Sequence, residues 1–310
     1  MSIRFTVLAS GSRGNASLLR ASGFGVLIDA GLSPRELSPR LAAAGAGWSD
    51  VDVLLLTHTH TDHWQDPTLA PLHARGVPVY CHPHHHEALQ AYSEAYPALH
   101  QAGLARTYAP HQELILGPGL RVRPLPVSHD SRGTCGFRLE TAGDLFGGGW
   151  ALAYLADLGC WDGALVEQVA DVDVLALEFN HDPRLEALSG RPGYLIRRVM
   201  GSRGHLSKDQ AAGMLRAVLA QSTPARLRHL VQLHLSQDCN TPELAAAAAR
   251  AVLRDTGHEL EVHTAAQHEA GPVLHLNGAR PSARGSRARR PARSRTSRMA
   301  QPFLPGLDIA

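Results

Sequence analysis

The chain has 310 residues, enough for one large domain or two ordinary ones, and 44% of them are hydrophobic, as is common in water-soluble proteins. No stretch approaches the roughly twenty consecutive apolar residues that cross a bilayer, and the N-terminus lacks the long apolar segment of a signal peptide. We therefore expect a cytoplasmic protein with no membrane partner. The four cysteines are scattered without a C-x-x-C pair, which argues against a disulfide framework and a cysteine-based zinc site.

Charge is distributed unevenly along the chain. The formal net charge is +2, but the segment from Gly278 onward contains eight arginines and one acid, so it carries +7 and the preceding residues carry −5 (2 − 7). Serine, proline and arginine dominate this tail, so we predict that residues 1–277 form the folded domain and that residues 278–310 are disordered. The tail is either a dispensable extension or a non-specific phosphate-binding arm.

The N-terminal residues predict an antiparallel meander followed by a helix. Three short apolar runs, over residues 3–8, 16–20 and 24–28, are separated by glycine-containing loops, as in consecutive strands. Ser33 is followed three residues later by Glu36, which is the pattern of a capped helix start.

A histidine-rich motif follows the next apolar run. Residues 51–57 are β-branched and leucine-rich, which predicts a short buried strand. Directly after them comes the sequence His58-Thr59-His60-Thr61-Asp62-His63. Side chains alternate in an extended chain, so His58 and His60 point the same way, while Asp62 and His63 lie past the strand and can face a second ion. Three imidazoles and a carboxylate in six residues therefore indicate a dinuclear metal site.

Further elements are expected along the rest of the chain. Helices are predicted at residues 67–74, 209–221 and 241–256, and strands at 77–81, 114–116, 120–127, 135–140, 150–156, 172–178, 230–236, 261–263 and 273–276. Residues 82–86 are a second histidine-rich stretch, opening a helix through Tyr92. For this stretch we expect a solvated helix start, with a substrate contact or an adventitious metal site as alternatives.

Several predicted strands end in a potential metal ligand, namely His129, Asp157 and His234. Strand ends that meet at one edge of a sheet are where α/β proteins build their sites, so we expect these side chains to join the histidine motif. The expected ligand sets are His58, His60 and His129 for one ion and Asp62, His63 and His234 for the other, with Asp157 bridging. Asp29 ends its own strand and is expected to orient a ligand.

The motif at residues 58–63, placed after a buried strand, resembles the hallmark of the metallo-β-lactamase superfamily. The resemblance covers residues 3 to about 276 and implies an α/β fold, the four-layer αββα sandwich. It also implies two divalent metal ions. Zinc or manganese suits these ligands, and iron is compatible with them.

Downstream stretches narrow the resemblance to particular branches. Gly204-His205-Leu206-Ser207 is similar to a motif of the tRNase Z-like branch, which implies that His205 is a general acid and Glu178 its partner; Asp62 completes the expected catalytic set. That branch has a serine in place of Leu206 and carries a long insertion for tRNA, which this chain lacks. Residues 8–15, 28–33, 178–182, 203–207 and 240–244 look instead like the WalJ/YycJ-type subgroup, a bacterial branch associated with DNA exonuclease activity.

The residues around His205 favour a polyanionic substrate. Arginines and lysines recur between Arg184 and Lys208, although a solvated helix face would show the same pattern. The candidate substrate contacts are Ser12, Asn15, His181, Arg203 and Asn240.

We therefore expect a metal-dependent phosphodiesterase that hydrolyses DNA ends, in which metal-bound hydroxide attacks the phosphate and His205 protonates the departing oxygen. One alternative is an RNA-processing nuclease of the tRNase Z type. Another is a hydrolase of small thioesters or lactones, which needs the same metals but no general acid. A third, non-enzymatic alternative is a metal-held signalling partner. The sequence is compatible with a homo-oligomer.

Overall fold

Two β-sheets packed face to face form the centre of the protein, and helices cover the outer face of each sheet. The computed structural model describes residues 3–142 and 149–276, and within these residues each sheet has seven strands. The order of layers is helices, sheet, sheet, helices, which confirms the predicted αββα sandwich. Among the described helices, none has the length and apolar character needed to span a membrane.

The first six described strands in chain order belong to the first sheet and the next seven to the second, and the last returns to the first. The strands are β1 (Ile3–Ala9), β2 (Ala16–Ala21), β3 (Phe24–Ile28), β4 (Val53–Leu55), β5 (Val79–Cys81), β6 (Ala105–Thr107), β7 (Leu114–Leu116), β8 (Leu120–Pro126), β9 (Cys135–Glu140), β10 (Ala151–Leu155), β11 (Val174–Glu178), β12 (His229–Leu233), β13 (Glu261–Thr264) and β14 (Leu274–His275). The helices are α1 (Pro34–Ala43), α2 (Asp66–Ala74), α3 (His85–Tyr92), α4 (Tyr96–Gln101), α5 (Gly163–Val169), α6 (Pro183–Ala187), α7 (Gly193–Val199), α8 (Lys208–Gln221) and α9 (Pro242–Thr256).

Each sheet combines an antiparallel part with a parallel part. The first sheet has the order β14-β1-β2-β3-β4-β5-β6; β1 to β3 form the predicted antiparallel meander, and β3 to β6 are parallel. The second has the order β13-β12-β11-β10-β9-β8-β7, in which β10 to β13 are parallel. Because β8 and β10 are both antiparallel to β9, β8 runs in the same direction as the parallel strands.

The core between the sheets is made of apolar side chains that alternate along the strands. Phe5 comes from the first sheet, Phe137 and Leu233 come from the second, and all three are fully buried. Burying an apolar side chain of this size contributes about 1.5–3 kcal/mol relative to leaving it exposed. Helices α1 to α4 pack on the outer face of the first sheet, and α5, α8 and α9 pack on that of the second.

Local signals explain where the longer helices begin. Ser33 caps α1 in a capping box with Glu36, as predicted, and Ser207 caps α8 in the same way with Gln210. The strand predicted at residues 51–57 is shorter, because only β4 pairs with its neighbours before the chain turns. The predicted disordered tail lies outside the described residues.

Candidate metal centre

The strands converge on one end of the sandwich, where each delivers a polar side chain. Asp29 follows β3, residues 58–63 follow β4, His129 follows β8, Asp157 follows β10, and His234 follows β12. These strands run in the same direction within each sheet, so their carboxyl ends lie at a common edge. The first sheet supplies the histidine motif and the second supplies the three remaining predicted ligands.

Three of these residues leave their strands through the left-handed region of backbone space. The φ angles of Asp29, Asp157 and His234 are 60°, 53° and 54°. A positive φ is uncommon for residues other than glycine, and such backbone strain concentrates at functional sites. The repeated turn directs all three side chains over the edge of the sheets.

His58, His60 and His129 come together as predicted. Their ring nitrogens lie within 4.8 Å of one another, and Nδ1 of His60 lies 3.3 Å from Nε2 of His129. Nδ1 of His129 donates to the carbonyl oxygen of Gly204 at 2.9 Å, which orients the ring so that Nε2 faces the cluster. Nε2 of His58 is buried and has no hydrogen-bond partner. Such an orphaned nitrogen is costly unless a ligand fills the site.

Asp62, His63 and His234 form the second predicted set. Their ligand atoms also lie within 4.8 Å of one another, and Oδ2 of Asp62 lies 3.3 Å from Nε2 of His234. Asp157 lies between the two sets, because its Oδ2 is 2.6 Å from Nε2 of His63 and 3.9 Å from Nε2 of His58. Despite the short distance, Oδ2 of Asp157 has no hydrogen bond of acceptable geometry. Two ligand atoms this close, without a well-directed hydrogen bond between them, are suited to face a common cation.

The donor set fits divalent metal ions. Imidazole nitrogen suits zinc, and the mixture with carboxylate oxygen also suits manganese or iron. His58 Nε2 and Asp157 Oδ2 are buried without hydrogen-bond partners, which is the specific sign that the cluster is suited to hold a cation.

Asp29 holds the histidine motif in place from beneath, consistent with the orienting role predicted for it. Its carboxylate accepts hydrogen bonds from the backbone N–H of Thr57 at 2.8 Å and from the Thr57 hydroxyl at 2.9 Å, and it lies 2.8 Å from Nδ1 of His63. The bond to Nδ1 fixes the ring so that Nε2 faces the cluster.

Glu178 connects the metal cluster to His205. Its Oε1 lies 2.8 Å from Nδ1 of His205 and 3.1 Å from Nδ1 of His234. Its Oε2 accepts backbone hydrogen bonds from Leu158 at 3.0 Å and Leu206 at 3.1 Å. Leu206 therefore serves this site through its backbone N–H while its side chain is fully buried.

The pKa values of His205 and His58 are shifted in opposite directions. Burial lowers the pKa of His205, but the carboxylates of Glu178 and Asp157 outweigh it, so the pKa of His205 is raised well above its ordinary value. Burial, with the neighbouring His63, lowers the pKa of His58 well below its ordinary value. The free protein therefore holds a proton on His205 and keeps His58 neutral, as a general acid and a metal ligand require.

The predicted substrate contacts take two kinds of position. Ser12 is exposed and lines an open groove beside Asp62, and Arg203 lies at the surface with Nε 3.3 Å from the carbonyl oxygen of His129. His181 is buried, and its Nδ1 has no hydrogen-bond partner.

Asn15 and Asn240 are buried and support loops. The Asn15 side chain bonds to both the N–H and the C=O of Gly11 and to Asp62, whereas Asn240 donates to the carbonyl oxygen of Phe179 at 2.7 Å. These contacts favour positioning roles for both asparagines over direct contact with substrate.

Two polar residues beside the cluster escaped the sequence argument. Oδ1 of Asp130 lies 3.3 Å from Nε2 of His60, and Nδ2 of Asn180 lies 3.1 Å from Nδ1 of His234. Asp130 directly follows a predicted ligand, and Asn180 lies two residues after Glu178. Their closeness in sequence to a strand end is the signal that could have identified them.

The second histidine-rich stretch is not part of the cluster. Within the described residues, none of the groups able to hold a metal includes residues 82–86. His84 is exposed, but His85 is fully buried, and burial together with His82 lowers its pKa to about 3. The prediction of a solvated helix start is therefore wrong for His85, which begins α3 with its side chain buried.

Comparisons with known proteins agree with this geometry. A family model of the β-lactamase superfamily domain matches residues 25–229, more than half of the chain. The chain is 26% identical over 272 residues to exodeoxyribonuclease YycJ of Bacillus anthracis, covering 85% of this chain and 95% of that protein. It is 31% identical over 211 residues to ribonuclease Z of Mycolicibacterium paratuberculosis, covering 56% of this chain and 72% of that protein.

A solved structure shows the same fold. The metallo-β-lactamase fold protein YhfI from Bacillus subtilis superposes with a TM-score of 0.61 at 18% identity, over 89% of this chain and 100% of that chain. Together with the family match and the resemblance to YycJ, this confirms the family predicted from the histidine motif. The chain belongs to the metallo-β-lactamase superfamily and is a metal-dependent hydrolase.

Proposed function

We propose that this protein is a two-metal phosphodiesterase that removes nucleotides from DNA ends, with His205 as the general acid. The pairing of His205 with Glu178 beside the two ligand sets carries the proposal. The leaving group of a phosphodiester is an alkoxide, which needs a proton to depart, whereas the thiolate of a thioester leaves readily without one. A site in which a buried carboxylate is hydrogen-bonded to a histidine is therefore better suited to hydrolyse phosphodiesters than thioesters.

The side chains divide the work of the reaction. Divalent ions held by the two sets would activate water and neutralise charge on the phosphate. Because Nδ1 of His205 faces Glu178, Nε2 is the nitrogen that can donate a proton to the departing oxygen. The His205 side chain is 20% exposed, so substrate can reach it.

Basic groups at the rim suit a polyanion. Nε of Arg198 lies 2.5 Å from Oδ2 of Asp130, which places this guanidinium beside His60. Arg203 lies over the backbone of His129. Guanidinium groups bind phosphate oxygens in a bidentate manner, so these two arginines are suited to hold the backbone of the substrate.

The groove beside Asp62 is suited to a nucleobase. It is lined by Arg13, Trp64 and Tyr92, among others, and the Tyr92 side chain is 80% exposed. Trp64 is buried, so Tyr92 is the ring that can stack on a base, and an exposed aromatic ring next to a cationic group is a usual stacking platform for single-stranded nucleic acid. The preference for DNA ends is supported by the similarity to YycJ.

A matched pair of variants tests the proposal. DNA labelled at its 5′ or 3′ end is incubated with zinc- or manganese-loaded protein, beside RNA of the same sequence. We expect stepwise loss of nucleotides from a DNA end, abolished in His205→Asn and retained in Glu167→Gln, which removes an exposed acid on α5. Intact DNA after incubation with both metals would overturn the proposal.

The second candidate is an RNA-processing nuclease, which is favoured by the similarity to ribonuclease Z. It predicts that the RNA substrate is cut and that the DNA is not. The same experiment therefore separates the two candidates.

A further inference from the structure

A second cluster of imidazole and carboxylate groups lies at the opposite end of β12 from the metal centre. His229 is the first residue of β12 and is paired in register with Glu261, the first residue of β13. His263 lies two residues after Glu261, so the side chains of all three project from the same face of the sheet. His229 begins β12 and His234 directly follows its last residue, so the length of the strand separates this cluster from the metal centre by about 16 Å.

The three ligand atoms form a nearly equilateral triangle. Nδ1 of His229 lies 3.4 Å from Nε2 of His263 and 3.4 Å from Oε2 of Glu261, and the last two atoms are 3.3 Å apart. A tetrahedral zinc ion with bonds of about 2.0–2.1 Å places neighbouring ligand atoms about 3.3 Å apart. The triangle therefore has the size of one face of a zinc tetrahedron.

Hydrogen bonding alone leaves one of these contacts unfilled. Each imidazole nitrogen carries at most one proton and the ionised carboxylate carries none, so hydrogen bonds fill at most two of the three contacts, whereas a cation in the centre contacts all three atoms. The two histidine side chains are largely buried, at 12% and 21% exposure, so water compensates them only in part. The nearby guanidinium of Arg228 lies 3.4 Å from Oδ1 of Asp173, which offsets its repulsion of a cation.

We propose that His229, Glu261 and His263 bind one further divalent transition-metal ion, with zinc favoured by this donor set. Glu261 is 69% exposed, so water can reach the site and supply a fourth ligand. In the described residues β13 is the edge strand of its sheet and pairs only with β12. An ion at this site would link the edge strand to the sheet, so its role is structural and independent of the proposed nuclease activity.

Zinc stoichiometry in the full chain tests the site. Purified protein is stripped with a chelator, equilibrated at micromolar free zinc and freed of unbound metal, and zinc per chain is measured for the wild type, Glu261→Gln, His263→Ala and His275→Ala. His275 is an exposed histidine on β14 and serves as the matched control. We expect Glu261→Gln and His263→Ala each to hold one ion fewer than the wild type and His275→Ala.

Thermal unfolding gives a second readout. Zinc should raise the unfolding temperature of the wild type and of His275→Ala more than that of Glu261→Gln, because the wild type gains one more bound ion. Glu261 is mostly exposed, so its replacement leaves the fold intact even if His263→Ala unfolds. Equal zinc content and equal thermal shifts in the wild type and Glu261→Gln would overturn the proposal.

Discussion

Oε1 of Glu178 lies 2.8 Å from Nδ1 of His205. The same oxygen lies 3.1 Å from Nδ1 of His234, so one buried carboxylate orients both the proposed general acid and a predicted metal ligand. Proton donation and metal binding are therefore coupled through a single atom, and changing that residue should affect both.

Replacing Glu178 with glutamine tests this coupling. We expect kcat to fall by about 10–100-fold and zinc affinity to fall by a similar factor, because outer contacts of metal-binding histidines contribute that much. The glutamine N–H₂ would also face either the backbone N–H groups of Leu158 and Leu206 or the histidine rings, which should cost about 1–3 kcal/mol of unfolding free energy. Kinetics at saturating metal, chelator competition and thermal unfolding measure the three effects. The exposed substitution Glu167→Gln should change none of them.

His205→Asn should affect rate according to the leaving group. With a DNA phosphodiester the loss should be about 10²–10⁴-fold, the usual contribution of a general acid. With a nitrophenyl phosphodiester the loss should be much smaller, since nitrophenolate departs without a proton. An equal loss on both substrates would show that His205 acts in some other way.

Asp29→Asn should weaken metal binding without disturbing the backbone. Asparagine tolerates the left-handed conformation that Asp29 adopts, so the change removes the charge facing His63 and keeps the turn. We expect zinc affinity to fall by about 10–100-fold and activity to return when zinc is added in excess. Alanine at the same position should in addition lower the unfolding temperature.

Zinc affinity should rise with pH. Burial lowers the pKa of His63, but Asp157 and Asp29 outweigh it and raise the pKa well above its ordinary value. Burial also lowers the pKa of His234, but Asp157, Asp62 and Glu178 outweigh it and raise the pKa to about 9. Both rings of the metal-free protein are therefore protonated at neutral pH, and a metal ion must displace their protons. The apparent affinity should increase by up to about a hundredfold per pH unit for two displaced protons, and the part due to His234 should level off above about pH 9. Chelator competition between about pH 6 and about pH 8 measures this, and a flat profile would contradict it.

Arg203→Ala should weaken nucleic acid binding without regard to sequence. Removing one phosphate contact should reduce the salt dependence of binding by about one unit of slope. The measurement is DNA affinity over a range of salt concentrations, using metal-loaded His205→Asn so that the substrate survives. Arg250→Ala, which removes an exposed arginine on α9, should leave the slope unchanged.

The sequence was most informative where a short pattern had a single structural use. Histidines and aspartates at strand ends predicted that the two candidate ligand sets and Asp29 lie together, because the edge of a sheet is fixed once strand direction is known. The capped start of α1 was readable because Ser33 and Glu36 are three residues apart and bond to each other.

Other features depend on long-range contacts and were hidden. Helices α4 to α7 are five to seven residues long, too short to show a clear period. Asn15 is buried because the loop of residues 58–63 folds back over it. The packing is tight, since a Cβ atom added to the neighbouring Gly31 would lie 1.8 Å from the carbonyl oxygen of Asp62. The triangle of His229, Glu261 and His263 needed the register of β12 against β13, which residue order alone does not provide.

The predicted metal ligands come from both sheets, with the histidine motif on one and His129, Asp157 and His234 on the other. A bound ion would therefore cross-link the two sheets, and removing the ion would remove the cross-link. The metal supply during growth would then determine the stability of the folded protein as well as its activity. Protein prepared with a chelator should be cleaved by proteases in the loops at this edge of the two sheets before either sheet unfolds. Protein to which metal has been restored should resist this cleavage.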